Sequence, residues 1–374
     1  MPRLLILCEF LTLLGGERSM LSTLAAARAA GFNVHVAAPP LGALAEAVRG
    51  AGVPLVEWTT HDAAGARRPG EAIRRDLAQL VARWSPDLVH ANSLSTARLA
   101  GPVMAATGVP SVGHLRDVVG LSRQAIDDVN CLDRLVAVSQ ATRAFHVGQG
   151  IDAEKCVVVP NGVDLREFRP RPATGYLHRE LRLEPPARLV ATIGQVGMRK
   201  GTDVALAAAT RWAAELPDVH WLVVGERTSK KDEARELEAR LHATALEPPL
   251  VGRVHFLGTR GDVSQLLPEC ELLIHAARQE PLGRVLLESA ACGLAVVATD
   301  VGGTREIFPT EADGAVLVPA DDPAALAEAA MALLSDDARR KALGNAGRRR
   351  AEAAFDVQSA ARQLIELYQS VLDL

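Results

Sequence analysis

The chain has 374 residues, of which 48% are hydrophobic and 23% charged, and its formal net charge is −4. This length fits two domains better than one, and the composition excludes disordered and collagen-like chains. The negative balance and an aromatic share of 3% argue against nucleic acid as a partner, because such binding needs positive charge for phosphates and rings for bases.

The amino-terminal apolar stretch at 4–14 predicts a first strand rather than a signal peptide. Glu9 interrupts it, and Gly15-Gly16 follows where a cleavage site would need small residues in an A-x-A pattern. The 5 cysteines are widely spread without C-x-x-C spacing, which fits a reducing compartment and no zinc site. We therefore expect a cytoplasmic protein.

Short apolar runs alternate with helical stretches along the first half of the chain. Strands are predicted at 4–10, 34–39, 87–92 and 134–139, and helices at 15–31, 41–50, 70–84 and 95–107. Strand and helix in alternation predict a mainly parallel α/β sheet.

The alternation stops at 166–187, where prolines cluster and apolar residues show neither helical nor strand periodicity. This stretch is predicted to be a linker. The alternation restarts at 188, with strands predicted at 188–197, 221–226, 254–258, 271–277 and 294–300 and a helix at 201–214. The domains are therefore predicted at 1–165 and 188–354, with a final helix at 355–374. Two such domains leave a cleft, and parallel sheets bind ligands beyond the carboxyl ends of their strands.

Two loops that follow predicted strands contain residues suited to a phosphorylated ligand. Gly15-Gly16-Glu17 opens the first helix, where backbone N–H groups suit a phosphate, although a tight turn explains the glycines equally well. Arg199 and Lys200 follow the strand at 188–197 and could neutralise a diphosphate, or they are a solvated surface pair. Neither G-x-G-x-x-G nor a Walker A motif is present.

The segment 278–293 is the most informative loop, because it places two carboxylates around one predicted helix start. Glu280 precedes the helix, Gly283 lets a ligand approach the backbone, and Glu288 lies roughly 7–8 Å further along the axis. This arrangement suits a ligand with hydroxyl groups at both ends and a phosphate between them. The alternative is a helix-dipole charge at Glu280 and a solvated Glu288.

These motifs together resemble glycosyltransferase family 4, of the GT-B architecture, over nearly the full length of the chain. In chain order, the matching stretches are the Gly15-Gly16-Glu17 loop, 157–168, 199–201, 280–288 and the segment that follows it to 307. The resemblance implies two Rossmann-like domains with parallel sheets that face each other across a deep cleft. It further implies a final helix that packs back on the first domain. It also implies retaining transfer of a sugar from a nucleotide diphosphate sugar to a hydroxyl acceptor.

The family's functional residues carry over to matching positions in the donor loops. Glu288 would bind the ribose hydroxyls, Glu226 lies near the base, and Arg199 and Lys200 would bind the donor phosphates. Glu280 would orient the transferred sugar together with the backbone at four consecutive positions at the helix start: Leu282, Gly283, Arg284 and Val285.

In the first domain, the resemblance assigns Gly15 and Gly16 to close approach toward the donor and His114 to the reacting centre. Without the family, His114 would be an ordinary strand-end histidine. No cofactor is implied, and no metal is expected, because no D-x-D pair ends a predicted strand. The partners are then a nucleotide sugar and a hydroxyl acceptor, with peripheral membrane contact if the acceptor is lipid-linked.

One position departs from the family, which often has arginine where this chain has Gln195. This departure puts one phosphate ligand in doubt. Arg284, at a commonly apolar position, adds charge near the donor. Two alternatives therefore stay open here: a nucleotide-sugar epimerase of the same architecture, and a sugar-nucleotide-binding protein without turnover.

Overall fold

The computed structural model describes residues 1–229 and 231–373, and these fall into two α/β units. The first unit comprises Met1–Gly162 and the chain from Val357 onward, and the second comprises Val163–Asp356. Each unit has one fully parallel sheet with helices on both faces.

In the described part of the first unit, the sheet has 7 strands in the order β3-β2-β1-β4-β5-β6-β7. The strands are β1 (Arg3–Leu7), β2 (Asn33–Ala38), β3 (Leu55–Glu57), β4 (Leu88–Ala91), β5 (Ser111–Leu115), β6 (Arg134–Ala137) and β7 (Cys156–Val158). The helices are α1 (Gly15–Ala29), α2 (Ala43–Gly50), α3 (Gly70–Trp84), α4 (Leu94–Thr107), α5 (Arg123–Asn130), α6 (Gln140–Gln149) and, from the carboxyl end of the chain, α15 (Val357–Leu372).

The described residues of the second unit form a 6-stranded sheet in the order β10-β9-β8-β11-β12-β13. The strands are β8 (Arg188–Ile193), β9 (Val219–Val224), β10 (Val254–Gly258), β11 (Leu272–His275), β12 (Ala295–Thr299) and β13 (Ala315–Val318). The helices are α7 (Tyr176–Leu181), α8 (Thr202–Glu215), α9 (Asp232–Ala245), α10 (Val263–Leu266), α11 (Arg284–Ala291), α12 (Thr304–Ile307), α13 (Pro323–Leu334) and α14 (Asp337–Ala354).

The central strands are apolar because both of their faces are covered. Every residue of β4, β5, β11 and β12 is buried, as expected for parallel strands between two helical layers. Trp212 and Trp221 meet edge-to-face in the core of the second unit, 6.4 Å between ring centroids. The carboxyl ends of all parallel strands share one edge of a sheet, so loops that follow different strands are brought together.

The stretch 166–187, predicted as a linker, lies within the second unit in the structure. It contains α7, and its loop is held to the unit by Glu269, which accepts hydrogen bonds from the backbone N–H of Thr174 at 2.6 Å and of Gly175 at 2.8 Å. The Tyr176 hydroxyl also donates to Asp262 at 2.9 Å. Proline-rich composition therefore marked an irregular segment but not a free connection.

Helix α15 packs on the first unit, although it follows the whole of the second unit in sequence. Leu364, Tyr368 and Val371 are buried in the same core as β1, β2 and α1. The Tyr368 ring meets Phe32 edge-to-face at 5.7 Å between centroids. Apolar spacing along this helix thus marks a true core face.

Two further properties of the described residues are the length of their apolar helices and the grouping of their metal-ligating side chains. None of the helices there is long and apolar enough to cross a membrane. No group of three or more metal-ligating side chains is found among those residues either.

Candidate active site

A buried cluster of three charged or titratable side chains lies at the carboxyl ends of β8 and β11. Lys200 Nζ lies 2.5 Å from Glu280 Oε2, and His275 Nε2 lies 2.7 Å from the same oxygen. Glu280 is 5% exposed and His275 is 3% exposed. The loops after two neighbouring strands therefore bring together residues that are far apart in sequence.

The charges of this cluster follow from its burial and its hydrogen bonds. Burial alone would raise the pKa of Glu280, but the Lys200 ammonium and the His275 hydrogen bond outweigh it and hold that pKa well below its usual range. Burial lowers the pKa of His275, so at neutral pH it is a neutral ring whose Nε2–H donates to the carboxylate. Glu280 is then a fixed anion with its Oε2 occupied by two donors.

Lys200 is held in place by a short 3₁₀ turn, Met198–Lys200, that ends at Gly201. Gly201 has φ +62°, and a Cβ there would lie 1.8 Å from the carbonyl oxygen of Ala276, so only glycine fits. Arg278 ties the same turn to the sheet through hydrogen bonds to the Met198 carbonyl at 2.7 Å and to Asp203 at 2.8 Å. Arg278 is therefore structural.

A pair of glycines supports the loop that contains Glu280. The backbone N–H of Gly303 donates to the Glu280 carbonyl at 2.9 Å. A Cβ on Gly302 would lie 2.0 Å from that carbonyl oxygen, and one on Gly303 would lie 2.4 Å from the carbonyl oxygen of Pro281. The loop after β12 therefore packs backbone to backbone against the 280–282 loop and fixes the position of that loop.

Helix α11 begins at Arg284 with Gly283 as its amino-terminal cap, at φ +107°. Within the helix, Arg284 Nε donates to Glu288 Oε1 at 2.6 Å, across one turn. Glu288 is 8% exposed, so it is not a solvated side chain as the alternative interpretation held. The first N–H groups of a helix have no intrahelical acceptor, and at α11 they follow directly from the 280–283 loop.

The remaining predicted donor residues of the second unit lie in the loops that follow β8 and β9. A small pocket at the end of β8 is lined by Gln195, Lys200 and His275, among other residues, and the Gln195 amide donates to the Thr228 hydroxyl. Arg199 is exposed, and its carbonyl accepts from the Arg278 backbone N–H at 2.9 Å. Glu226 is exposed after β9, with Oε1 3.3 Å from the Thr259 backbone nitrogen.

The first unit has its own buried polar cluster, built on His114. This residue lies one position before the end of β5 and is 4% exposed. Its ring stacks on His90 of β4 at 5.4 Å between centroids. Arg116 donates to the Asn92 carbonyl, to the Asn92 side chain and to Asn161, each at 2.9 Å. Arg116 therefore organises the loops around His114.

Of the two glycines that open α1, only Gly16 packs against the same arginine. A Cβ on Gly16 would lie 3.0 Å from Arg116 Cδ, whereas one on Gly15 would meet nothing within 4 Å. The Asn92 amide donates to the Gly16 carbonyl at 3.4 Å. Close packing at Gly16 thus explains one of the two glycines, and the open position at Gly15 leaves its backbone accessible.

We expect the two buried histidines to make stability fall with acidity. Burial lowers the pKa of His90 to about 3 and that of His114 well below its ordinary value, with Arg116 adding to both shifts. Below pH ~6.5 the unfolded chain takes up protons that the folded chain excludes, so the free energy of unfolding falls by up to about 1.4 kcal/mol per pH unit for each histidine.

Urea unfolding at several pH values between 7.5 and 5 tests this expectation. His90→Gln should flatten the slope of stability against pH by about one histidine. An unchanged slope would contradict the claim that His90 stays unprotonated in the folded protein.

The structure thus brings Lys200, Glu280 and the start of α11 together in the second unit, and it places Gly16 and His114 beside Arg116 in the first. Sequence reasoning missed four polar partners: His90, Asn92 and His275, which are buried, and Arg116, which is partly buried. His275 and His90 each interrupt an apolar run that forms a central strand, and that interruption was the available signal.

Comparisons with known proteins divide the chain in the same way as its two sheets. The family model described as Glycosyltransferase Family 4 matches residues 14–167, and the model described as Glycosyl transferases group 1 matches residues 177–350. The chain belongs to glycosyltransferase family 4. The predicted membership is therefore confirmed.

Curated relatives agree with this membership, and a solved structure shares the fold. D-inositol 3-phosphate glycosyltransferase of Xylanimonas cellulosilytica is 32% identical, over 76% of this chain and 67% of that protein. Alpha-maltose-1-phosphate synthase of Mycobacterium tuberculosis is 31% identical over 63% of each, so the chain spans under two thirds of that relative. The HepE structure of Anabaena is 23% identical, covers 99% of this chain and 100% of its own, and superposes with a TM-score of 0.87.

The predicted GT-B fold, the enzyme class and the use of a nucleotide sugar are confirmed by these findings. This family 4 enzyme is a glycosyltransferase that moves a sugar from a nucleotide sugar with retention of configuration. The roles of its individual residues stay predictions.

Proposed function

We propose that the second unit binds the nucleotide diphosphate sugar and that the first unit binds the hydroxyl acceptor. The observation that carries this proposal is the buried cluster of Lys200, Glu280 and His275 beside the start of α11. Lys200 has two further ammonium protons available for donor phosphates, and Arg199 is exposed nearby. Developing charge on the leaving diphosphate is then stabilised by these two side chains and the first N–H groups of α11.

Glu280 orients the transferred sugar rather than attacking it. Its Oε2 accepts hydrogen bonds from Lys200 and His275, and this charge neutralisation makes the carboxylate a poor nucleophile. The second oxygen of the carboxylate is suited to accept a hydrogen bond from a sugar hydroxyl. Retention then arises from same-face attack by the acceptor, with the departing phosphate taking the acceptor proton and without a metal ion.

The donor base is proposed from a fold neighbour. HepE of Anabaena was solved with UDP and glucose and with UDP-glucose, and we propose a UDP sugar as the donor here. We further propose that the enzyme acts in the cytoplasm, with peripheral membrane contact if the acceptor is lipid-linked. Gln195 bonds Thr228, so phosphate binding falls to Arg199 and Lys200.

Family membership favours transfer over the two alternatives, epimerisation and donor binding without turnover. An epimerase would convert the nucleotide sugar to its epimer without an acceptor. A binding protein would leave the nucleotide sugar intact with every acceptor. Analysis of the products from one donor, with and without acceptors, separates these three outcomes.

Replacing Glu288 by glutamine is expected to weaken donor binding by about 10- to 100-fold. The carboxylate is proposed to accept hydrogen bonds from the ribose hydroxyls, and charge-assisted bonds of this kind contribute about 1.5–3 kcal/mol. Calorimetric titration of UDP measures the change. Glu236→Gln, an exposed position on α9, is the matched control and should bind as the wild type does; equal affinity in both variants would rule out the ribose assignment.

A further inference from the structure

A chain of hydrogen bonds connects the carboxyl-terminal helix to His114 through the centre of the first unit. Tyr368 Oη of α15 lies 2.6 Å from His90 Nδ1. On the other side of the same ring, His90 Nε2 lies 3.3 Å from His114 Nδ1. Tyr368 is 2% exposed, His90 1% and His114 4%, so the chain runs through the interior from one helix across two adjacent strands.

The direction of this chain is decided by Arg116. Its Nη2 lies 3.1 Å from His114 Nδ1, and a guanidinium group donates hydrogen bonds but accepts none. His114 Nδ1 is therefore an acceptor without a proton, and His90 Nε2 must carry the proton that lies between the two rings. His90 Nδ1 is then the acceptor for the Tyr368 hydroxyl, so all three contacts are satisfied by one set of proton positions.

This arrangement leaves the proton of neutral His114 on Nε2. That atom is buried and has no hydrogen-bond partner among the described residues. A buried N–H without an acceptor costs free energy that a ligand oxygen in its place would recover. The atom therefore has the properties of a donor prepared for a bound molecule.

We propose that Tyr368 and His90 are positioning residues that, together with Arg116, fix His114 in the Nε2–H tautomer so that it donates a hydrogen bond to an oxygen of the sugar substrate. The inference rests on the proposed transfer function and on the place at the reacting centre that the family resemblance assigns to His114. It also gives α15 a function beyond packing, since the Tyr368 hydroxyl of this helix is the first hydrogen-bond donor in the series that leads to His114.

The tautomers can be read directly in the full-length protein without any ligand. With ¹⁵N-labelled histidine, long-range ¹H–¹⁵N spectra at pH 7 distinguish neutral rings protonated on Nε2 from those protonated on Nδ1. Signals of His90 and His114 are assigned by their loss in single variants. We expect both rings to carry the proton on Nε2, and a proton on Nδ1 of His114 would overturn the inference.

Two substitutions at His90 separate positioning from simple packing. His90→Gln keeps a donor toward His114 and an acceptor toward Tyr368, whereas His90→Leu fills similar space without either. We expect kcat to fall by about 10-fold in His90→Leu, with the donor KM within about 2-fold of wild type, and to recover most of this loss in His90→Gln. Equal kcat in the two variants, or a loss that only follows their melting temperatures, would overturn the inference.

The hydroxyl of Tyr368 has a matched control in the other tyrosine of the chain. Tyr368→Phe and Tyr176→Phe each remove one hydroxyl with a single hydrogen bond, to His90 and Asp262 respectively. Only Tyr368→Phe should lower kcat and move the His90 ¹⁵N shifts; identical behaviour of both variants contradicts the relay.

The failure of this inference is distinguishable from failure of the proposed function. If sugar is transferred but His114 is protonated on Nδ1, the relay is wrong and the proposed donor site stands. If the expected tautomers are found but His90→Leu transfers sugar at the wild-type rate, His90 does not position His114 for transfer, so the inference fails while the proposed donor site stands.

Discussion

Lys200→Met is expected to lower kcat by roughly 100- to 1000-fold and to lower the free energy of unfolding by about 3 kcal/mol. The substitution leaves the buried Glu280 carboxylate without the ammonium group that lies 2.5 Å from its Oε2, and removing one member of a buried ion pair costs about 3–5 kcal/mol. Since the lysine side chain is 18% exposed, water compensates in part, which sets the expectation at the lower end.

The catalytic effect of the same substitution has a separate cause. Lys200 is proposed to stabilise negative charge on the departing diphosphate, and loss of one such preorganised donor lowers kcat by roughly 100- to 1000-fold. Lys341→Met, on the exposed face of α14, is the matched control for removing a lysine charge. Steady-state kinetics and urea unfolding of both variants measure the two effects.

A double-mutant cycle with Glu280→Gln separates the ion pair from other consequences of losing Lys200. Once the carboxylate is neutral, removing the ammonium group should cost much less stability than it does in the wild type. Additive losses would contradict the buried pair. Transfer near the wild-type rate in Glu280→Gln would contradict the proposed orientation of the sugar by this residue.

Gly302→Ala is expected to displace the 280–282 loop and to weaken donor binding by more than about 100-fold. A Cβ at this position would lie 2.0 Å from the Glu280 carbonyl oxygen, a separation that no side-chain movement can relieve. The backbone φ of +52° adds strain for any L-residue. We expect the free energy of unfolding to fall by about 3 kcal/mol, from overpacking and backbone strain together.

Gly261→Ala is the control for this variant, because a Cβ there meets nothing within 4 Å and the backbone φ lies outside the left-handed region. Its UDP affinity and unfolding midpoint should match those of the wild type within error. Unchanged UDP binding by Gly302→Ala would contradict the claim that Gly302 and Gly303 position the 280–282 loop for donor binding.

The alternation of apolar runs and helical stretches predicted the fold because each parallel strand is buried on both faces. The run at 271–277 and the run at 294–300 became β11 and β12, whose residues are all buried. Composition was a weaker guide to connections. Prolines at 166–187 indicated irregular backbone, but the hydrogen bonds from Thr174 and Gly175 to Glu269 join residues about 95 positions apart.

The side-chain pairs of the site could not be predicted from the sequence either, because their members are far apart in the chain. Lys200 and Glu280 are 80 residues apart, and Tyr368 and His90 are 278 apart. Local pattern placed each of the first two in a strand-end loop, but their contact depends on which strands are neighbours in the sheet. Tyr368 matched an apolar position of an amphipathic helix, and its hydroxyl gained a partner only through the packing of α15.

Transfer with determination of product configuration tests the central claim most directly. UDP sugars are incubated with the full-length enzyme and a panel of hydroxyl acceptors that includes D-inositol 3-phosphate and lipid-linked sugars, in the presence of EDTA, and the anomeric configuration of the product is read by NMR. We predict that one UDP sugar is used without added metal and that the product keeps the configuration of the donor. A product of inverted configuration, or strict dependence on a divalent cation, would contradict the mechanism proposed for Lys200, Arg199 and Glu280.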